Sequence, residues 1–275
     1  MSFAITPKAK GDEEKIATAI RRLAEEDPTL RLHRDPQTGE EILSGMSQMH
    51  VEVALERAKR RFGVEVDLHP PRVPYRETIR REARAHARYK KQTGGRGQFG
   101  DATIVVMPLE NGDYEFVDKI VGGVIPQSFR PAVDKGIQEA MQHGDLAGAP
   151  VQGVRVVLVD GSYHTVDSSE MAFKDAYGQA DPVLLEPIME IDVTVPDEAV
   201  GAVNGDLNSR RGHIMGTDTR GNAQVVTAMV PLANMFGYVN NLRSMSQGRA
   251  SYTMQFDHYS EVPRNVAEEV VAKYA

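Results

Sequence analysis

The chain contains no cysteine. That excludes disulfide staples and thiolate metal centres, and it makes a cytosolic location the default. Tryptophan is absent and aromatic residues make up 6% of the 275, so any core is aliphatic. No run approaches the roughly 18–20 apolar residues that a membrane helix needs. The opening residues, MSFAITPKAKGDEEK, hold no apolar stretch of the kind a secretory leader requires. Positive charge is the minority: 32 Lys and Arg against 39 Asp and Glu give a net charge of −7. A protein that coats nucleic acid indiscriminately is therefore disfavoured, although a local basic patch remains open. What is present is ordinary for a globular chain, 41% hydrophobic and 26% charged, and the length allows one to three domains.

The two ends of the chain share an element order. Near the start, FAITPKA alternates as a strand and Asp12 precedes a helical stretch with Ile16, Ala19, Ile20 and Leu23 on one face. LRLHR and EEILSG read as strands joined at the turn Asp35-Pro36-Gln37-Thr38-Gly39. A second helix follows, with Met49, Val53 and Ala54 at helical spacing and Gly63 as its stop, and VEVDLH is the last strand. This is β-α-β-β-α-β, the ferredoxin-like order. The last third repeats it: IMEIDVTVP, a helix through GDLNSRRG, HIMGTDTR and AQVVTAMVPL joined at Gly221-Asn222, a helix over ANMFGYVNNLRSMSQG, then SYTMQFDHYS and a closing helix. Ferredoxin-like units host many functions, so the pair alone assigns none.

The middle differs. Nine Lys and Arg between 72 and 100 face only Glu77 and Glu82. Within this stretch, Gly95-Arg96-Gly97-Gln98-Phe99-Gly100 satisfies the dinucleotide pattern G-x-G-x-x-G. That fingerprint needs a helix after the loop, whose N-terminus binds the pyrophosphate. Here DATIVVMP follows, which is β-branched and reads as a strand. No G-K-[ST] occurs, and the further motifs of a protein kinase are missing. The plainer reading is a hairpin tip, with Gly94, Gly95 and Gly97 supplying a slim backbone and Lys90, Lys91 and Arg96 attracting phosphate. A solvated basic face with no partner accounts for the charge equally well.

A second loop, GSYHTVDSSE, carries Ser162, Tyr163 and His164. His164, Asp167 and Ser168 are adjacent in sequence, whereas a nucleophilic triad is assembled in space, and they offer too few ligands for a metal. Ser168 and Ser169 are expected to cap a helix beginning at Glu170. Exposed Tyr and His can stack on or hydrogen-bond RNA, and a histidine satisfied within its own loop is the simpler account.

Taken together, QTGGRGQFG, IVGGVIPQSFRPAVDKGIQEAM, DGSYHTVDSSEMAFK, DPVLLEPIM, GDLNSRRGHIMG and MFGYVNNLRSMSQGRASYTMQFDHYSEVP resemble bacterial translation elongation factor G. The resemblance runs from about residue 8 to the end and corresponds to that family's domains III, IV and V. It implies an α+β chain: two ferredoxin-like domains, 1–71 and 188–275, flanking a ribosomal protein S5 domain 2-like domain over 72–187. It implies that tip loops of the middle domain, at Gly94, Gly95, Arg96, Gly97, Gln98 and at Ser162, Tyr163, His164, enter the small-subunit decoding region and contact tRNA and mRNA. Lys90 and Lys91 flank the first tip. Asn208, Arg210 and Arg211 would face the large subunit's stalk base and sarcin–ricin region.

By the same resemblance, translocation of tRNA and mRNA on the ribosome is the implied job. A ribosomal-protection or back-translocating factor, or a truncated paralogue that only binds ribosomal RNA, is the alternative. GTP and magnesium belong to a GTPase domain not seen in these residues, so no catalytic residue, cofactor or metal is expected in this chain. A cytoplasmic monomer with no membrane partner is expected, either an excised fragment or a truncated paralogue. One departure stands out. Only Asp175-Ala176-Tyr177-Gly178-Gln179 separates MAFK from ADPV, about eight residues, or two helical turns, short of the family's helix. Apolar surface or a loosened domain is the expected result.

Overall fold

The computed structural model describes residues 1–91, 98–121, 127, 130–162 and 166–274. They form two compact units, one built on residues 1–74 and the other on 75–232 with 239–275.

The first unit contains β1 (Ser2–Pro7), α1 (Glu13–Glu26), β2 (Arg31–Arg34), β3 (Glu41–Ser44), α2 (Gln48–Phe62) and β4 (Val66–His69). The sheet order is β2-β3-β1-β4, all antiparallel. Ile16, Ala19, Ile20 and Leu23 of α1 are buried, as their spacing requires. On α2 the buried stripe is Val51, Ala54 and Ala58. The expected partners Met49 and Val53 lie on the opposite side, 67% and 43% exposed. Apolar spacing fitted either stripe; the small Ala54 and Ala58 let this one pack closely in the core. Gly63 ends α2 in the left-handed region, at φ +66°, where its N–H caps the Lys59 carbonyl. Asp12 stands at the α1 N-cap position but makes no side-chain cap; its carboxylate takes Lys15 instead, at 3.1 Å.

Asp27 ties the two helices of this unit together. His50 Nδ1 accepts the Met46 N–H (3.1 Å), which leaves the proton on Nε2 to donate to Asp27 (2.7 Å). Thr29 donates to the same carboxylate through its hydroxyl (2.6 Å) and its N–H (3.0 Å). These bonds, the Thr29 hydroxyl foremost and then His50, hold the Asp27 pKa down at about 2.

The second unit carries two sheets. One consists of β6 (Ala83–Lys91), β7 (Gln98–Pro108), β9 (Val154–Ser162) and β8 (Tyr114–Asp118), in the order β6-β7-β9-β8. The helices α3 (Arg130–Ala140) and α4 (Val166–Gln179) cover one face of it. The other sheet is formed by β10 (Pro182–Val195), β11 (His213–Arg220), β12 (Ala223–Pro231) and β13 (Ser251–Glu261), in the order β11-β12-β10-β13. With α5 (Val200–Ser209) and α6 (Tyr238–Ser246) it repeats the topology of the first unit. A final helix, α7 (Arg264–Tyr274), follows. Gly221 opens the β11–β12 hairpin at φ +61°. The architecture is therefore α+β, with two ferredoxin-like layers and a different α/β layer between them in sequence.

The C-terminal sheet also takes in a strand from before the middle sheet in sequence. β5 (Arg76–Ile79) pairs with Pro182–Leu185 at the start of β10, and the rest of β10 pairs with β12 and β13. The boundary expected between 187 and 188 thus falls inside one 14-residue strand.

α4 begins at Val166, before the position expected from Ser168 and Ser169, and Ser169 lies buried inside it. Its 14 residues span about 21 Å. Ala172, Phe173, Ala176, Tyr177 and Ala180 are all fully buried against β6 and β7. The apolar exposure expected from the shortened helix is confined, among the described residues of α4, to Met171 at 45%.

Candidate nucleic-acid interface

Strand pairing fixes where the two candidate loops emerge. β6 and β7 pair antiparallel from Ala83↔Val106 to Lys91↔Gln98. Residues 92–97 therefore connect the adjacent ends of a hairpin, and a strand, not a helix, follows the glycine-rich stretch. The dinucleotide fingerprint fails on that ground. β9 runs antiparallel to β7 and ends with Ser162 opposite Asp101. Asp101 lies three residues from Gln98, about 10 Å along the strand. Both loops thus leave the same end of one sheet.

The helices point the same way. β8 is parallel to β9, with Asp118 opposite Leu158, so α3 must run back toward the other end of the sheet. α4 also returns there: its last carbonyl, of Gln179, accepts from Arg81 Nε at 3.0 Å, just ahead of β6. Both helix N-termini are therefore directed at the loop-bearing end. Each contributes a partial positive charge there, about half an elementary charge.

Of the residues singled out from the sequence, Gly94, Gly95, Arg96, Gly97, Tyr163 and His164 lie outside the described residues. Lys90, Lys91, Gln98 and Ser162 belong to the strand ends that frame the two loops. Asn208, Arg210 and Arg211 stand elsewhere, at the end of α5 against the other sheet. Asn208 is exposed. The Arg210 side chain is 14% exposed, with Nε on Asp206 at 2.7 Å. Arg211 bonds Glu186 on β10, a carboxylate only 2% exposed. Arg210 thus pairs within the end of α5, and Arg211 ties that end to β10.

One group that charge counting misplaced is Glu77. In the sequence it only dilutes the basic stretch. In the structure it is completely buried. The N–H groups of Leu146 (3.2 Å), Ala147 (2.9 Å) and Ala149 (3.0 Å) donate to it, as does the Tyr177 hydroxyl (2.5 Å). Burial first, then the Glu77 charge, raises the Tyr177 pKa far above its ordinary value. Glu77 thereby grips the segment after α3 and the end of α4 together. It holds both tip-directed helices at the end opposite the loops. A signal was available: Glu77 is in phase with buried Ile79 along β5, so period-two alternation turns it inward.

A sheet end that gathers two loops, two helix N-termini and flanking lysines is suited to binding a polyanion. Comparison with known proteins gives the class a family. Residues 1–70 match the family described as Elongation Factor G, domain III. Residues 71–181 match Elongation factor G, domain IV, and residues 183–270 match the Elongation factor G C-terminus. A crystal structure of a protein from Thermus thermophilus is 41% identical with a TM-score of 0.89. The alignment covers 100% of this chain and 42% of that one. The chain belongs to the elongation factor G family, and its three segments are a translation elongation factor module. Among the described residues, no helix is long and apolar enough to cross a membrane.

Proposed function

We propose that this module binds the ribosome through the loop-bearing end of the β6-β7-β9-β8 sheet and supports movement of tRNA and mRNA. The observation that carries this reading is the convergence of both loops and both helix N-termini on one sheet end, beside Lys90 and Lys91. The slim glycine-rich loop enters the decoding region with Arg96 and Gln98, and the Ser162–His164 loop lies beside it. Asn208 on α5 faces the large subunit, with Arg210 and Arg211 shaping that surface from behind their ion pairs. The work is mechanical and electrostatic. GTP hydrolysis belongs to a different domain of the family's proteins, and this chain acts in the cytoplasm, as a monomer, without a cofactor of its own.

Co-sedimentation with ribosomes across a salt series tests the proposal. Saturable binding should weaken with salt, and Arg96→Ala and Lys91→Ala should each lower affinity and flatten the salt dependence, since released counterions scale with phosphate contacts. Placed in a full-length factor, His164→Ala should leave binding intact and slow translocation. Unchanged affinity in both charge variants, or an unchanged translocation rate in the histidine variant, would refute the corresponding role.

A further inference from the structure

The first unit carries a surface that the loop-bearing sheet end does not use. β2 lies at the edge of its sheet, in the order β2-β3-β1-β4. Its inner side pairs with β3 from Arg31↔Ser44 to Arg34↔Glu41. No other described backbone group bonds to the backbone of residues 31–34. Unpaired N–H and C=O groups therefore line the outer edge, open to pairing with a further strand. Beside that edge runs a groove of about 950 Å³ between β2 and the second half of α1. Ala24, Leu30 and Leu32 form its apolar part. Leu30 is buried, and Ala24 and Leu32 are partly buried against the same core, so the floor of the groove is continuous with the core. Arg21, Glu25, Arg31 and His33 line the rest of it, and all four are exposed.

The charges around the groove select its occupant. Neighbouring cations are already engaged: Arg22 lies over the Phe62 ring at 5.8 Å, Arg61 bonds Glu26 at 2.7 Å, and Arg34 Nε donates to the Gly39 carbonyl at 3.2 Å. Arg21 and Arg31 make no ion pair or side-chain hydrogen bond among the described residues. With Glu25 as the carboxylate, the lining is net positive in a chain whose net charge is −7. A second copy of the chain is a poor occupant. Pairing β2 with itself would set Arg31, His33 and Arg34 against their own kind, and like charges directly opposite destabilise a strand pair. RNA has no strand to offer the free edge and no use for the apolar floor. Charges on a short edge strand also deter pairing, but deterrence needs no apolar groove alongside. An extended polypeptide that alternates acidic and apolar residues matches every feature. Its backbone completes the edge, its apolar side chains fill the groove, and its carboxylates meet Arg21 and Arg31.

We propose that the β2 edge and its groove are a docking site for an extended acidic segment of another protein, bound by strand addition. The site lies within the first unit and is independent of the loop-bearing sheet end. Alternation along β2 sorts the contacts. Leu32 faces the helices and the groove, whereas Arg31 and His33 point to the opposite side. Apolar residues of the added strand therefore go under α1. Acidic residues on its other side meet Arg31, and an acidic residue at the mouth of the groove meets Arg21.

The test is a labelled peptide, Asp-Val-Glu-Ile-Glu-Val-Asp, titrated into the full chain and followed by fluorescence anisotropy and amide NMR shifts. Saturable binding is expected, with the shifts concentrated at residues 21–25 and 30–34. Arg21→Glu and Arg31→Glu should each weaken it about 2–10-fold, the range for losing and reversing one exposed ion pair. The double variant should instead prefer Lys-Val-Lys-Ile-Lys-Val-Lys. Circular dichroism should show the same fold in each, since both arginines are exposed. The acidic sequence N-methylated at every backbone amide should not bind, because it cannot complete the edge. Equal binding of the methylated peptide would overturn strand addition. Shifts confined to other residues, or no saturable binding by the wild-type chain, would overturn the site. Concentration-dependent shifts at residues 31–34 without peptide would overturn it in favour of pairing between copies. Tighter binding of a uridine oligonucleotide than of the peptide at the same residues would overturn it in favour of RNA.

Discussion

Replacing Tyr177 or Glu77 should test whether the middle sheet and its two helices are held at one buried point. Glu77 has no exposed surface and accepts three N–H groups and one hydroxyl. Hydrogen bonds to a charged group contribute about 1.5–3 kcal/mol each, and stranded buried donors cost about 1–3 kcal/mol. Tyr177→Phe deletes one donor and leaves the carboxylate its three N–H partners, so a loss of about 1.5–3 kcal/mol is expected. Glu77→Ala strands all four donors and empties the side-chain volume. It should cost about 3–5 kcal/mol, a large part of the roughly 5–15 kcal/mol that holds a typical domain together. Glu77→Gln keeps the shape but turns an amide N–H₂ toward at least one donor, placing its cost between the two. Gly144 adds an independent handle, since a Cβ there would lie 2.0 Å from Glu77 Oε2; Gly144→Ala should reproduce part of the Glu77→Ala loss. Urea unfolding followed by circular dichroism measures these values, with unchanged m showing that only stability has moved. A double-mutant cycle over Tyr177→Phe and Glu77→Gln should give a coupling of about 1 kcal/mol or more. A Glu77→Gln loss below about 0.5 kcal/mol, the range of ordinary surface changes, would refute the idea of a buried fastening point.

Three further outcomes are expected. Asp27, held at about 2 against an ordinary 3.8, favours the folded state above pH 3.8. That contribution should fade as pH falls from about 4 toward 2, and Asp27→Asn should flatten this limb of an acid-unfolding curve. Arg211→Ala leaves the buried Glu186 carboxylate without its cation and should cost about 3–5 kcal/mol, whereas exposed Asn208→Ala should stay within about 0.5 kcal/mol by the same urea assay. Gly212→Ala would place a Cβ 2.6 Å from the Leu207 carbonyl and 3.0 Å from Val230 Cγ2. Thermal unfolding should show it to be destabilised by about 1–3 kcal/mol, as overpacked sites are.

Period and punctuation carried most of the architecture. The α1 stripe, the Gly63 stop and the Gly221 turn are local signals, and each stands where it was read. The failures share a cause, which is that burial is decided by neighbours. Met49 and Val53 satisfied helical spacing as well as Val51 and Ala58 did, and only the packing partner chose between them. Ser168 and Ser169 have the chemistry of a cap, but the helix starts before them and Ser169 is buried within it. The boundary placed after residue 187 falls inside a strand whose first residues pair with β5, a pairing across about a hundred residues that local signals do not carry. At the candidate interface, the glycine loop's hairpin setting was legible from the β-branched run after it. The inward turn of Glu77 was hidden by treating charge as a sum instead of a position.

The pairing of β10 with β5 has a consequence for how such proteins can be recombined. The first four residues of β10 are the pairing partner of β5, and Arg80 just beyond β5 reaches both Asp181 and Glu261. A chimera spliced at the end of α4 would import a C-terminal module with an unmatched strand edge and leave β5 without a partner. A junction placed before Tyr75 carries β5, the middle sheet and the C-terminal sheet as one inheritable piece. Sequence drift on either side of residue 182 is therefore constrained jointly, and the middle and C-terminal segments should be exchangeable between relatives only as a pair.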